Sequence, residues 1–386
     1  MSRHDVIIIG LGAMGSAALY QLAKRGARVL GIDRFAPPHE QGSSHGDTRI
    51  TRLAIGEGAH YTPLVKRSHE IWRAIERETG ADLLTQCGEL IISSENKKSS
   101  VHVEGFFWNT VDAARAHRVA HELLDASQIR ARYPQFNVRD DEFGYFEAEA
   151  GFVRPEACID AELALAKKHG AEIRMDETVL GFEAGRDGVT VKTEHETYRA
   201  DRLIVAAGAW LPKLLGGDFG KLFSIYRQVL CWFAVDGDVT AYEPERFPVF
   251  IWELPDSRQG IYGFPAIDGG LKVATEQYAA TTSPEQVDRC VSTEEFKHMH
   301  RNYIAPYLKG VTSECVKAKA CLYTVTPDAG FVLDTLPSSE RVIMASCCSG
   351  HGFKHSAAIG EILADMAENR AASLDLAPFR LGRFSA

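Results

Sequence analysis

The apolar pattern of the chain is densest close to its N-terminus. Residues 6–9 are four consecutive β-branched residues, and an unbroken run of this kind predicts a strand buried on both faces of a sheet. Residues 13–25 have a helical pattern that Gly26 ends, and residues 27–32 predict a second strand. The chain therefore opens with a strand, a turn, a helix and a parallel strand.

The turn between the first strand and the helix is rich in glycine. In Gly10-x-Gly12-x-x-Gly15, the first glycine permits a tight turn, the second lets backbone approach a pyrophosphate, and the third lets helix and strand pack closely. The second strand ends at Asp33, at about the 20-residue spacing expected of an acid that binds an adenosine ribose. This pattern predicts a dinucleotide site but leaves FAD and NAD as alternatives. We assign to it Gly10, Gly12, Ala13, Met14, Gly15, Asp33 and Arg34.

A second hydrophobic strand, over residues 200–207, ends in a turn of small residues and a tryptophan. It follows a predicted hairpin, and such a strand end brings backbone close to a large ligand. We place Val179, Ala207, Gly208 and Trp210 on the same dinucleotide.

Alternating apolar and polar residues predict an antiparallel sheet in the middle of the chain. The predicted strands cover residues 223–236, 249–253, 260–265 and 270–275, and turn residues separate them. We expect this sheet to belong to a second domain that binds substrate. The predicted dinucleotide domain comprises residues 1–82, 145–212 and 315–386, and the substrate domain comprises 83–144 and 213–314, so the two are interleaved.

The C-terminal part repeats the order of strand, glycine loop and helix. An apolar strand at residues 342–346 leads into a loop and then into a helix at 355–369, whose N-terminus could face a ligand. No second GxGxxG is present, so the sequence offers no further site for NAD(P)H and favours a flavoprotein. The loop residues assigned to the cofactor are Gly350, His351, Gly352, Phe353 and Lys354.

Two arginines follow the loop that leaves the first dinucleotide unit. Arg49 and Arg52 are three residues apart and would share a face if this segment were helical. Such a pair could hold a carboxylate, a phosphate or an electron-rich ring, whereas the alternative is a solvated basic helix end. Ser44, His45 and Thr48 precede them.

Composition narrows the class of protein. The chain has 386 residues, of which 45% are hydrophobic and 25% charged, and its formal net charge is −9 without a cluster of Lys or Arg. These features exclude nucleic acid as the expected partner, and no apolar run reaches the ~18 residues of a membrane span. The predicted first strand begins almost at the N-terminus, so we expect no signal peptide. Eight scattered cysteines without a CxxC pair favour a reduced, cytoplasmic compartment, and no metal site is expected.

Several motifs along the chain resemble one family. They are Gly10–Gly15, 44–49, 56–58, 262–265, Leu271-Lys272, 321–324, 349–354 and 375–380. Together they resemble the flavin-dependent amine oxidases of the monomeric sarcosine oxidase and N-methyl-L-tryptophan oxidase type. The resemblance implies a mixed α/β fold, with a Rossmann-like FAD-binding domain of the p-hydroxybenzoate-hydroxylase type interleaved with an antiparallel substrate domain.

The resemblance also implies roles for individual residues. FAD would be linked through its 8α-methyl to the sulfur of Cys321, although Cys315, Cys347 and Cys348 are competitors that spacing does not exclude. Arg52 and Lys354 would bind the carboxylate of a secondary amino acid, and Lys272 would activate oxygen. Arg49 would pack against the flavin ring, and His45, Thr48, Tyr262 and Tyr323 would line the cavity; for Tyr262, a place in the core is equally consistent.

One residue departs from the family pattern. Glu276 stands where sarcosine oxidases have a histidine, four residues after Lys272. A carboxylate there favours a cationic or polyhydroxylated group, as in the related fructosyl-amino-acid oxidases, or pairs with a surface cation.

The function expected from these features is oxidation of N-methyl or N-alkyl amino acids to imines, with O2 reduced to H2O2, by a monomer. The alternatives are an oxidase of fructosyl or cyclic imino acids, a flavin dehydrogenase that uses another acceptor, and a non-catalytic FAD-binding sensor.

Overall fold

The computed structural model describes residues 3–99, 103–372 and 374–384. The strands are β1 His4–Ile9, β2 Val29–Ile32, β3 Arg49–Thr51, β4 Leu84–Thr85, β5 Glu89–Ser94, β6 Glu122–Asp125, β7 Glu142–Glu147, β8 Gly151–Val153, β9 Glu172–Arg174, β10 Val179–Gly185, β11 Gly188–Thr193, β12 Thr197–Val205, β13 Ser224–Val235, β14 Val249–Trp252, β15 Ile261–Ile267, β16 Gly270–Thr275, β17 Val311–Val325, β18 Val332–Leu336 and β19 Ser339–Ser346. The α-helices are α1 Ala13–Lys24, α2 Thr62–Thr79, α3 Phe106–Ala116, α4 Ala126–Arg132, α5 Pro155–Lys168, α6 Leu211–Leu215, α7 Thr293–Met299 and α8 Ser356–Ala367.

The first sheet carries the dinucleotide fingerprint. Its parallel strands lie in the order β9-β2-β1-β12-β19, and β18 pairs antiparallel with β19 at one side. The β10-β11 hairpin extends the first half of β12. Because β1 lies in the middle of this sheet, all four of its apolar residues are buried, as their pattern predicted.

The second sheet has eight strands in the order β17-β13-β16-β15-β14-β5-β7-β6. Every neighbouring pair is antiparallel except β14 and β5, which run parallel because they come from distant parts of the chain. β17 pairs with β13 along nearly its whole length and runs across the predicted domain boundary at residue 315. The mixed α/β fold class with a largely antiparallel second sheet is confirmed.

A small sheet joins the two larger ones. β3 and β4 both pair with β8, so Arg49 begins a short strand instead of lying on a helix. The idea that Arg49 and Arg52 share a helical face is therefore wrong. The cause is the antiparallel pairing of β3 with β8, which overrides the local propensity of the segment.

Helices cover the first sheet closely. α1 packs against both α5 and α8, and a Cβ added at Gly360 of α8 would lie 2.4 Å from the Cβ of Ala17. Over the described ranges no helix is long and apolar enough to cross a membrane. The same residues contain no group of three or more His, Cys, Asp or Glu side chains that could hold a metal ion.

Candidate active site

A cavity of about 520 Å³ runs from the glycine turn of β1 toward the second sheet, a size typical of small-molecule and cofactor sites. Residues from both sheets and from the C-terminal glycine loop form its walls. Of the residues predicted for the site, the cavity is lined by Gly10, Gly12, Ala13, Met14, Asp33, Arg34, Ser44, Arg49, Arg52, Val179, Ala207, Gly208, Trp210, Tyr262, Gly350, His351, Gly352, Phe353 and Lys354.

The other predicted residues do not line this cavity. They are Gly15, His45, Thr48, Lys272 and Cys321, all of them buried. His45, Lys272 and Cys321 nevertheless lie close to Arg49, whose charge acts on the pKa of each of them. His45, Lys272 and Cys321 therefore lie immediately behind the residues that line the cavity.

The glycine turn after β1 has no room for side chains. Gly10 has a φ of +88°, and a Cβ there would lie 2.5 Å from the carbonyl oxygen of Ala206 at the end of β12. A Cβ at Gly15 would lie 1.7 Å from the Gly10 carbonyl oxygen. A Cβ at Gly12, by contrast, would meet only the Ser44 hydroxyl, at 3.7 Å, so this position faces open space in the cavity.

Asp33 fixes the neighbouring edge of the cavity. The backbone N–H of Leu11 donates to its Oδ2 at 2.6 Å, and that of Phe35 donates to its Oδ1 at 2.9 Å. The buried carboxylate thus holds the glycine turn and the loop after β2 together while it lines the cavity.

Arg52 and Lys354 meet on one carboxylate although they are far apart in the sequence. The Arg52 Nη2 donates to Oε2 of Glu57 at 2.6 Å, and the Lys354 Nζ lies 3.9 Å from Oε1 of the same residue. Lys354 also donates to the His351 carbonyl oxygen at 2.7 Å. Burial lowers the pKa of Lys354 to about 8, and the Glu57 charge opposes this shift. We call Arg52 and Lys354 the cation pair.

Lys272 is a buried ammonium held by oxygens. Its Nζ donates to the carbonyl oxygens of Gly46 and Thr48 at 2.7 and 2.8 Å, and it lies 4.4 Å from the ring centre of Phe264 and 5.2 Å from that of Trp232. Burial, followed by the Arg49 charge, holds its pKa well below the usual value of a lysine. The side chain is therefore a fixed donor in a dry environment.

Arg49 lines the cavity, and His45 lies behind it. The Arg49 guanidinium donates to the carbonyl oxygens of Ser43, His45 and Thr48, at 2.7 to 2.8 Å, so its orientation is fixed. Burial and the Arg49 charge lower the pKa of His45 to about 3, which keeps the imidazole neutral. Within the described part of the chain, neither ring nitrogen of His45 has a hydrogen-bond partner.

Cys321 lies on β17 opposite Gln228 of β13 and is buried. Burial raises the pKa of its thiol, whereas the charges of Arg49 and Lys272 act in the opposite direction. Cys347 and Cys348, in contrast, line the cavity directly. The geometry therefore keeps these residues as competitors for any flavin linkage.

At the end of the cavity toward the second sheet, three polar side chains meet. The hydroxyl oxygens of Tyr262 and Tyr323 are 3.3 Å apart, and Glu276 lines the same part of the wall. The Glu276 carboxylate also affects the pKa of Tyr262 and of Lys354, so it faces this interior. Tyr262 is consequently a cavity residue that also packs against the hydrophobic core.

Sequence reasoning missed the carboxylates around Arg52. Glu89 and Glu147 are buried, the Glu57 side chain is 3% exposed, and each of the three carboxylates raises the pKa of Arg52. A signal was available: Glu89 directly precedes the three apolar residues 90–92 of β5, and a buried acid of this kind must be paired or protonated. Its partner could not be identified from spacing, because Arg52 lies in the loop after β3, outside the sheet that contains Glu89.

The residues present fit a dinucleotide cofactor. The open position at Gly12 is the N-cap of α1, where no side chain accepts a hydrogen bond, so the first N–H groups of the helix face the cavity. Apolar walls and a few fixed charges complete a site of suitable shape.

Comparison with known proteins agrees with this geometry. A family model described as FAD-dependent oxidoreductase (DAO) matches residues 5–366. The chain is 42% identical over 370 residues to a monomeric sarcosine oxidase of Streptomyces avermitilis, with 94% of this chain and 93% of that protein covered. It is 35% identical over 387 residues to an N-methyl-L-tryptophan oxidase of Yersinia pestis, with 99% of each covered.

The solved structure of NikD, described as an unusual amino acid oxidase essential for nikkomycin biosynthesis, is also similar in fold. It superposes with a TM-score of 0.82 at 23% identity and covers 98% of both chains. The resemblance drawn from the motifs is thus confirmed, and the chain belongs to the FAD-dependent oxidoreductase family that includes monomeric sarcosine oxidases and N-methyl-L-tryptophan oxidases.

Proposed function

We propose that this protein is an FAD-dependent oxidase of N-methyl or N-alkyl amino acids, which converts the secondary amine to an imine and reduces O2 to H2O2. The observation that carries the proposal is the cation pair, Arg52 and Lys354, in the wall of a cavity that begins at the dinucleotide cradle. Relatives named sarcosine oxidase and N-methyl-L-tryptophan oxidase, 35 to 42% identical over most of the chain, support it.

Bound FAD would supply the redox chemistry, by accepting a hydride equivalent from the substrate and passing the electrons to O2. The glycine turn and the N-terminus of α1 would hold its pyrophosphate, and Asp33 its ribose. The residues proposed to hold FAD are Gly10, Gly12, Ala13, Met14, Gly15, Asp33, Arg34, Ser44, His45, Thr48, Arg49, Val179, Ala207, Gly208, Trp210, Cys321, Gly350, His351, Gly352, Phe353 and Lys354.

The protein's own groups would orient the substrate. Two cations on one carboxylate fix both its position and its direction, which holds the C–H bond next to nitrogen at a constant place in the cavity. Because the pKa of Lys354 is about 8, this side chain remains largely cationic at neutral pH. Lys272, buried and fixed by three oxygens, is proposed to stabilise the negative charge that develops on O2 as it is reduced.

An aerobic peroxide assay tests this function. We expect H2O2 from N-methyl amino acids, and we expect Arg52→Ala to raise the KM about a hundredfold or more, because it removes one of two buried charged donors. Arg73→Ala is the control, since this arginine pairs with Glu76 and Gln86 outside the cavity. A colourless protein, or an Arg52→Ala enzyme with unchanged kinetics, would contradict the proposal.

A second substrate class is favoured by one observation, the carboxylate of Glu276 beside Tyr262 and Tyr323. A carboxylate in this position would bind a cationic or polyhydroxylated N-substituent, as in fructosyl amino acids. The same assay, run on sarcosine, N-methyltryptophan, proline, pipecolate and fructosyl amino acids, distinguishes these substrates. Reduction of a dye without H2O2 would instead identify a dehydrogenase.

We further propose that Cys321 carries the flavin through an 8α-thioether. Its thiol lies close to Arg49 and Lys272, and their charges favour the thiolate that such a linkage requires. Acid precipitation of the protein should leave yellow colour in the pellet, and Cys321→Ala should release the colour to the supernatant. Cys348→Ala is the matched control, because Cys348 lines the cavity and would be the attachment point if the assignment is wrong.

The oligomeric state and the cellular compartment of the protein are also part of the proposal. We propose a monomer that works in a reduced, cytoplasmic environment, where none of the eight cysteines forms a disulfide, as in the structure.

A further inference from the structure

Glu89 is a buried acid whose carboxylate lies near a cation but accepts no hydrogen bond among the described residues. It lies at the start of β5, is fully buried, and its Oε1 is 3.6 Å from Nη1 of Arg52. Among the residues that the structure describes, neither oxygen of Glu89 accepts a hydrogen bond. A buried carboxylate in these surroundings is costly in its charged form.

Two other acids share this region, and their charges are better satisfied. Glu147, on the neighbouring strand β7, accepts hydrogen bonds from the backbone N–H groups of Leu53 and Ala54 and from the Tyr145 hydroxyl. Glu57 accepts the short hydrogen bond from Arg52. The groups that act on Glu89 are these two acids and the cation pair, Arg52 and Lys354.

Arg52, Lys354, Glu57, Glu89 and Glu147 form one cluster, and its net charge decides which ligands it can bind. Burial raises the pKa of Glu147 too, but its three hydrogen bonds and the Arg52 charge oppose this shift and favour the carboxylate. With Glu57 and Glu147 ionised, the two negative charges balance the cation pair, provided that Glu89 is neutral. A substrate carboxylate adds one negative charge to the cluster. An ionised Glu89 would add a second negative charge and would compete with the substrate for Nη1 of Arg52. A buried site cannot stabilise this excess of negative charge.

We propose that Glu89 is a positioning residue for Arg52, and that a carboxylate ligand binds only while Glu89 carries a proton. At a pH where Glu89 is ionised in the free enzyme, each carboxylate that binds therefore brings a proton to Glu89. This inference rests on the proposed function, because it requires that the cation pair bind the carboxylate of the substrate.

The pKa values of Glu89 and Lys354 place this coupling of proton binding to carboxylate binding in a pH range that can be measured. Burial raises the pKa of Glu89 to about 8, and the Arg52 charge opposes the shift. Burial also lowers the pKa of Lys354 to about 8. As the pH rises above 8, Glu89 gains a negative charge and Lys354 loses a positive one, so both changes weaken carboxylate binding.

The experiment is a titration of the FAD-containing enzyme with acetate between pH 7 and 10, followed by the visible absorption of the flavin. In the wild type two protons are linked to binding, so the Kd should rise by up to about a hundredfold per pH unit above pH 8. In Glu89→Gln only Lys354 remains linked, and the rise should fall to about tenfold. Glu162→Gln is the matched control, because this equally buried acid also has a pKa raised to about 8 but accepts its hydrogen bond elsewhere, from the Ser16 hydroxyl.

A Glu89→Gln profile equal to that of the wild type would overturn the inference and leave the proposed function standing. If acetate does not bind the wild type at pH 7, the cation pair is not a carboxylate site, and both proposals fail. Proton uptake by the wild type alone gives the same answer if Glu89→Gln does not fold. With a pH indicator in weakly buffered solution at pH 9, close to two protons per acetate are expected, and one proton would overturn the linkage.

Discussion

At the scale of the residue, Lys272 is the side chain whose chemistry depends most on its surroundings. Its ammonium is buried, donates to Gly46 and Thr48, and lies over two aromatic rings. A cation in such an environment acts on a developing negative charge much more strongly than it would in water. The same burial lowers its pKa, so the charge depends on the oxygens that hold it.

Replacing Lys272 with methionine keeps the length of the side chain and removes the charge. We expect the rate of reoxidation by O2 to fall about a hundredfold or more, while anaerobic bleaching of the flavin by substrate changes little. Stopped-flow absorption measures the two half-reactions separately. Lys317→Met is the control, because Lys317 also lies over the Trp232 ring, at 4.8 Å, but pairs with Asp47.

At the scale of the element, local sequence patterns located the helices and strands whose structure depends on residues close in the sequence. α1 covers Ala13–Lys24 and β16 covers Gly270–Thr275, close to the ranges 13–25 and 270–275 that their patterns predicted. β3 was not predictable, because three residues form it only by pairing with β8, a hundred residues later. The length of β17 likewise depends on β13.

The packing at the glycine turn between β1 and α1 can be tested by substitution. Gly15→Ala would place a Cβ 1.7 Å from the Gly10 carbonyl oxygen and push α1 away from β1, so we expect loss of FAD binding. Gly181→Ala, where no atom lies within 4 Å of the added Cβ, should retain FAD. The ratio of absorbance at 450 and 280 nm in the purified proteins (about the flavin and protein maxima) measures occupancy; full occupancy in Gly15→Ala contradicts the packing argument.

At the scale of the whole molecule, the candidate site depends on residues that no local pattern connects. Motifs located the glycine turn and, by resemblance, the cation pair. They did not reveal that Glu57 joins Arg52 to Lys354, or that Glu89 lies behind Arg52. Such contacts arise only when β5 of the second sheet packs beside the loop after β3, so they follow from tertiary structure.

Buried titratable groups also make the stability of the whole molecule depend on pH. The pKa of Glu162 is raised to about 8 in the folded state, from 4.5. Between these values the folded protein retains a proton that the unfolded chain has released, so this contribution to stability is present below pH 4.5 and is lost as the pH rises toward 8. Each such group lowers the free energy of unfolding by about 1.4 kcal/mol per pH unit in that range.

Glu162→Gln removes this proton linkage. We expect its midpoint of thermal unfolding to fall less than that of the wild type between pH 5 and 8, since the amide cannot ionise. Differential scanning calorimetry across this range measures the effect, and Glu183→Gln on the exposed part of β10 is the control. Parallel curves for wild type and Glu162→Gln would show that the acid is not protonated in the folded protein.

The long pairing of β13 with β17 has a mechanical consequence. β17 begins at Val311 within the second sheet, and at its other end the N–H of Leu322 donates to Gly42 in the loop beside the dinucleotide cradle. A long ribbon of two paired strands, irregular only near Phe233, resists bending, so it restrains rotation between the two large sheets along this line. The walls of the cavity beside this ribbon are therefore expected to keep their spacing when substrate enters and product leaves.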